Sequence, residues 1–96
     1  MENDRIRMLI VDDEPLILRS LKQAVDWEAI GVDIVGEARS GEEALRLCRA
    51  EMPDLVLSDI RMPSIDGLEL MRRVKREDAD TVFILISGYG EFEYAR

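Results

Sequence analysis

Four strand-like apolar runs alternate with helical segments, and this alternation limits the possible folds more than any other feature. The runs are Ile6 to Val11, Val32 to Ala38, Leu55 to Ser58 and Val82 to Ile86. Strands alternating with helices imply βαβ units, a parallel sheet and right-handed crossovers. The expected class is α/β, a doubly wound parallel sheet. In the strand order 2-1-3-4-5 the first and third strands are neighbours, and ligands bind in the crevice at their carboxyl ends.

The third run carries the sharpest signal. Leu55-Val56-Leu57-Ser58 reads as a strand buried on both faces, and it stops at Asp59. Pro63 cannot donate to a sheet ladder, so the strand has ended by then. Asp66-Gly67 is a turn signal and a helix start. Asp59 therefore sits at the carboxyl end of a central strand.

The other segments follow the same logic. Ile6 to Val11 ends in Asp12-Asp13-Glu14, and Pro15 suits the first turn of a helix. Ile17, Leu21, Ala24 and Val25 give that helix an apolar face. Trp27 and Ile30 are expected to pack beneath the connection, with Gly31 turning the chain. Asp33 and Glu37 place the second strand near a sheet edge. Ser40-Gly41-Glu42-Glu43 matches a capping box for a helix that runs to about Glu51 and ends at Pro53. A third helix starts near Gly67, with Leu68, Met71 and Val74 inward and Arg72, Arg73, Lys75 and Arg76 toward solvent. After the fourth strand, Ser87-Gly88-Tyr89-Gly90 leads into the start of a fourth helix. No linker, repeat or domain boundary is visible, so residues 1–96 read as one domain.

Composition excludes several classes. The net charge is −8, from 21 acidic and 13 basic residues, which argues against nucleic-acid binding by this segment. No run is long enough to span a membrane, and no apolar signal region opens the chain. The single Cys48 lies in a helical pattern, and the chain has no histidine to activate it. A lone cysteine fits a reducing, cytoplasmic setting.

Acids close the first strand (Asp12, Asp13) and the third (Asp59), so three carboxylates converge. Mutual repulsion raises their pKa values or recruits a hard divalent ion such as Mg²⁺. Such an ion would screen a negative phosphoryl donor and open in-line attack by Asp59. Ser87, at the end of the fourth strand, could offer a hydroxyl to a phosphoryl oxygen. Taken singly, Asp12 or Asp13 is a helix cap, Asp59 a turn residue and Ser87 an ordinary strand end. Their joint placement at three strand ends favours the functional reading.

At these residues the sequence resembles the receiver domain of bacterial two-component response regulators. The matching stretches are Leu9-Ile10-Val11-Asp12-Asp13-Glu14, Pro53 to Pro63, Asp66-Gly67-Leu68-Glu69-Leu70 and Ile84-Leu85-Ile86-Ser87-Gly88-Tyr89. The resemblance implies a flavodoxin-like sheet, with Asp59 accepting a phosphoryl group from a phosphohistidine on a sensor histidine kinase. It implies Mg²⁺ bound by the side chains of Asp13 and Asp59 and by the backbone carbonyl of Arg61, with Asp12 acting through a metal-bound water. Ser87 would turn toward the phosphoryl group on activation. The module would promote its own phosphorylation and dephosphorylation without being an enzyme in the ordinary sense. Val25-Asp26-Trp27 and the stretch from Gly88 to Ala95 resemble regulators whose receiver precedes an AraC-type DNA-binding domain, which implies transcriptional control.

Family members continue through a fifth strand, bearing a lysine, and a fifth helix. Here the lysines are Lys22 and Lys75, both in helical segments. The chain is thus expected to be incomplete at its C-terminus. An apolar edge at the fourth strand would leave it marginal, or completed by a homodimer or strand-swapped oligomer. The competing function is a non-phosphorylated interaction module. A small-molecule phosphatase fits less well, because its paired aspartates would stand two residues apart on one strand. A flavin binder would need a glycine- and hydroxyl-rich first loop, and this one is acidic.

Overall fold

The computed structural model describes residues 4–86. Four parallel strands form one sheet in the order β2-β1-β3-β4: β1 (Ile6–Val11), β2 (Val32–Ala38), β3 (Leu55–Asp59) and β4 (Val82–Ile86). Three helices connect them: α1 (Pro15–Ala24), α2 (Gly41–Glu51) and α3 (Gly67–Glu77). A single 3₁₀ turn, Glu28–Ile30, precedes β2. Ser87 and the turn and helix expected after it lie outside the described residues.

Strand alternation divides the core into two layers. Leu9, Val11 and Val56 face α2 and α3, where they meet Ala44, Leu45, Cys48, Leu70 and Val74. Met8, Ile10 and Leu57 face the other way, toward Leu18, Val32 and the flanking Trp27. The middle strands are apolar on both faces because both faces are covered, as in parallel sheets generally.

β2 is an edge strand, as its acids suggest. Asp33 pairs with Arg5 at 2.9 Å and Glu37 with Lys22 at 2.5 Å. Its register against β1 slips between Met8 and Leu9: Met8 lies opposite Ile34, but Leu9 lies opposite Gly36. Val35 is the extra residue of this bulge.

Helix starts follow their sequence signals. Pro15 opens α1. The Ser40 hydroxyl accepts from the Glu43 amide at 3.1 Å. The Glu43 carboxylate accepts from the Arg39 amide at 2.8 Å, one residue before the usual capping-box partner. Asp66 caps α3, its carboxylate accepting from the Glu69 amide at 2.9 Å. α2 ends on Met52, which adopts a left-handed conformation (φ 47°) and donates its amide to the Cys48 carbonyl.

The inward faces of two helices differ from expectation. In α1 the buried residue is Leu18, while Ile17, Ala24 and Val25 are exposed. Leu16, Ile17 and Leu18 are consecutive apolar residues, so periodicity alone cannot choose among them; packing on Ile10 and Leu57 selects Leu18 and, partly, Leu21. In α3 Leu70, not Leu68, faces inward with Val74, four residues on, while Met71 is half-buried. Trp27 packs under the connection and donates its indole N–H to the Leu21 carbonyl at 2.8 Å. Ile30 does not pack there; it is exposed on the 3₁₀ turn. Gly31 turns the chain at φ 85°. On β4, Val82 and Ile84 are exposed on the α1 side of the sheet.

Candidate functional site

β1 and β3 pair directly, with Val11 opposite Ser58. The next residue on each strand is an aspartate, so Asp12 and Asp59 emerge side by side at the carboxyl ends. Asp13 follows in the turn to α1. Ligand oxygens of Asp12, Asp13 and Asp59 lie within 4.8 Å of one another. This crevice lies where the strand order reverses, beside the N-terminal ends of the helices.

The three acids differ in setting. Asp12 is buried at 3% exposure. One of its oxygens accepts from the Glu14 amide at 2.9 Å, so it supports the turn into α1 while facing the crevice. Asp13 and Asp59 are half-buried. Oδ1 of Asp59 is buried and has no hydrogen-bond partner among the described residues.

Burial pushes the Asp12 carboxyl above its ordinary range. The bond from Glu14 opposes this, and the charges of Asp59 and Asp13 add to it. Burial likewise raises Asp59, against the pull of the Arg61 and Ile60 amides, and the Asp13 charge adds to the rise. Both rises come chiefly from burial, and the neighbouring negative charge adds to them.

The backbone around Asp59 is tightly held. The buried Ser58 hydroxyl donates to the Asp59 carbonyl at 2.9 Å. The Gly67 amide donates to the Ile60 carbonyl at 2.7 Å, and the Ile60 amide donates to the Ile86 carbonyl at 3.0 Å. The loop from Ile60 to Asp66 passes over α2, burying Met62 and Ile65, and Ser64 within it is left-handed at φ 71°. Arg61 is exposed on this loop. Ser58 and Gly67 were not singled out for the site in the sequence. Ser58 reads there as the end of an apolar run, and Gly67 as an ordinary helix start.

A more enclosed hollow of about 180 Å³ lies elsewhere, lined by Leu45, Cys48, Val74 and Thr81 and rimmed by the Arg49–Glu77 ion pair. It contains none of the converging carboxylates.

Over residues 8–96 the sequence matches the family described as the response regulator receiver domain. The chain belongs to that family. This receiver is 39% identical over 90 residues to the transcriptional regulatory protein YesN of Bacillus subtilis, covering 94% of this chain and 24% of YesN. The chain therefore spans about a quarter of that relative's length. The REC domain of the response regulator AraT from Geobacillus stearothermophilus superposes with a TM-score of 0.85 at 38% identity, over 94% of this chain and 70% of that one. The CheX–CheY–BeF₃–Mg²⁺ complex from Borrelia burgdorferi matches with a TM-score of 0.79 at 30% identity, over 93% of this chain and 66% of that one. The receiver reading of the sequence and its strand order are both borne out. Among the described residues no helix is long and apolar enough to cross a membrane.

Proposed function

We propose that this receiver is a phosphorylation-dependent switch. Asp59 accepts a phosphoryl group from a phosphohistidine on a sensor histidine kinase, and the change is read by a transcriptional output domain in the longer protein. The observation that carries this reading is the Asp59 carboxylate, whose Oδ1 is buried and unpartnered beside two further carboxylates. Among the described residues no hydrogen-bond donor reaches that oxygen, which leaves it available to a metal ion or an electrophile.

The same oxygen supports a hard divalent cation in the crevice, since three crowded carboxylates, with Asp12 and Asp59 raised in pKa, fit one better than they fit each other. Asp13 and Asp59 would hold Mg²⁺ through their side chains, Arg61 through its carbonyl and Asp12 through water. The ion, when bound, supplies the positive charge that lets an anionic donor approach the acids. The Borrelia relative was solved with Mg²⁺ and BeF₃, which supports the same ion for this chain.

In the transfer, an oxygen of Asp59 forms a bond to phosphorus as the bond from phosphorus to the donor histidine nitrogen breaks. Asp59 comes to this step from a fixed strand end. The Ser87 hydroxyl is assigned to a phosphoryl oxygen. Residues 1–96 belong to one receiver domain that continues in the longer protein, and it works in the cytoplasm. DNA contact belongs to the output domain, because this segment carries a net charge of −8.

Intact-protein mass spectrometry after incubation with a small acyl phosphate tests the reading. One added phosphoryl group, dependent on Mg²⁺ and absent from Asp59→Asn, is expected. No gain in the full-length regulator would overturn it in favour of a non-phosphorylated interaction module.

A further inference from the structure

We propose that Gly67 and Ser58 are positioning residues for Asp59, and that they hold its peptide where the carboxylate can serve an ion. The ion-binding part rests on the function proposed above. A Cβ added at Gly67 would lie 2.3 Å from the Asp59 carbonyl oxygen, 3.1 Å from its carbonyl carbon and 3.0 Å from the Ile60 Cα. All three are backbone atoms, which cannot swing aside as the end of a side chain can. Only a residue without Cβ lets α3 begin this close to the strand end.

The contact is more than a space-saving device. Through it the backbone of Asp59 and Ile60 is fixed at three points. Ser58 donates its hydroxyl to the Asp59 carbonyl, Gly67 donates its amide to the Ile60 carbonyl, and the Ile60 amide is held by Ile86 of β4. The Ser58 hydroxyl is fully buried and must find an acceptor; the one it uses belongs to the reactive residue's own backbone. The Cα that carries this carboxylate shifts only if a helix start or a strand moves with it. Groups that orient a ligating residue in this way typically govern metal affinity as strongly as some ligands do.

The test uses Mn²⁺ as probe ion, with binding read by electron paramagnetic resonance on folded protein. Hydrogen exchange of the Ile60 amide supplies a readout that needs no metal. Gly67→Ala is expected to weaken Mn²⁺ binding about tenfold and to speed Ile60 exchange by a similar factor. Ser58→Ala changes both in the same direction by roughly threefold, and it decides the matter if Gly67→Ala does not fold. Val74→Ala, a core truncation away from the acids, controls for general loss of stability and is expected to leave both readouts at the wild-type level. Wild-type behaviour in the folded Gly67 and Ser58 variants, or an equal loss in Val74→Ala, overturns the proposal. If the wild-type chain binds no Mn²⁺, the metal part of the functional reading fails, and Ile60 exchange still decides the positioning role.

Discussion

Asp12 and Asp59 close adjacent strands of the sheet, and the negative charge of Asp59 helps to raise the pKa of Asp12. A carboxyl raised in the fold binds its proton more tightly folded than unfolded. Its ionised form therefore destabilises the fold above the raised value, and that loss fades as pH falls toward the ordinary value of 3.8. Asp59→Asn is expected to raise the melting temperature at pH 7 by roughly 5 °C, the effect of a typical single-site change in a domain this small. The gain over wild type should shrink as the melts are repeated toward pH 4. A constant gain across that range would show that the two acids are not strained by their charge.

The Asp66 cap makes a second prediction. Its carboxylate satisfies the Glu69 amide in the first turn of α3. Asp66→Ala should cost about 1 kcal/mol in urea unfolding. An unchanged midpoint would mean that solvent caps α3 equally well.

Met52 points the opposite way. It holds a left-handed conformation at the end of α2, and the residue is 67% exposed, so little packing depends on it. Met52→Gly removes the steric cost of that conformation and should stabilise the fold by about 1 kcal/mol. A destabilised variant would reveal a packing role for the side chain.

Cys48 should be inert while the protein is folded. Burial, with help from the Glu77 charge, pushes its thiol up to about 11 from a usual 9.0. At pH 8 an aromatic disulfide reagent should react roughly 100-fold more slowly with the folded chain than with the urea-unfolded chain, since the thiolate is the attacking species. Equal rates would place the thiol at the surface.

The site was legible in the sequence wherever chain direction alone determined geometry. A parallel strand that ends at an acid puts that acid at one edge of the sheet, so the gathering of Asp12, Asp13 and Asp59 followed from order and spacing. Packing choices were less legible. Leu16, Ile17 and Leu18 offer three faces of one helix, and only the surface beneath selects Leu18. Leu68 and Leu70 posed the same ambiguity. The role proposed for Gly67 left no pattern, because an absent Cβ matters only against a neighbour brought in by tertiary structure.

Val35 is a change of phase within β2. Before it, the even-numbered Val32 and Ile34 face the α1 side; after it, the even-numbered Gly36 and Ala38 face α2. The same residues keeping one rhythm throughout would turn the Glu37 carboxylate under α2 and push Ala38 outward. With the extra beat, Glu37 reaches Lys22 while Ala38 closes the core beside Val11. Substitution at Val35 would keep that rhythm. Deletion would make Gly36 follow Ile34 directly, just as Leu9 follows Met8 on the partner strand, so β2 would alternate without a break and keep Glu37 and Ala38 on their present faces.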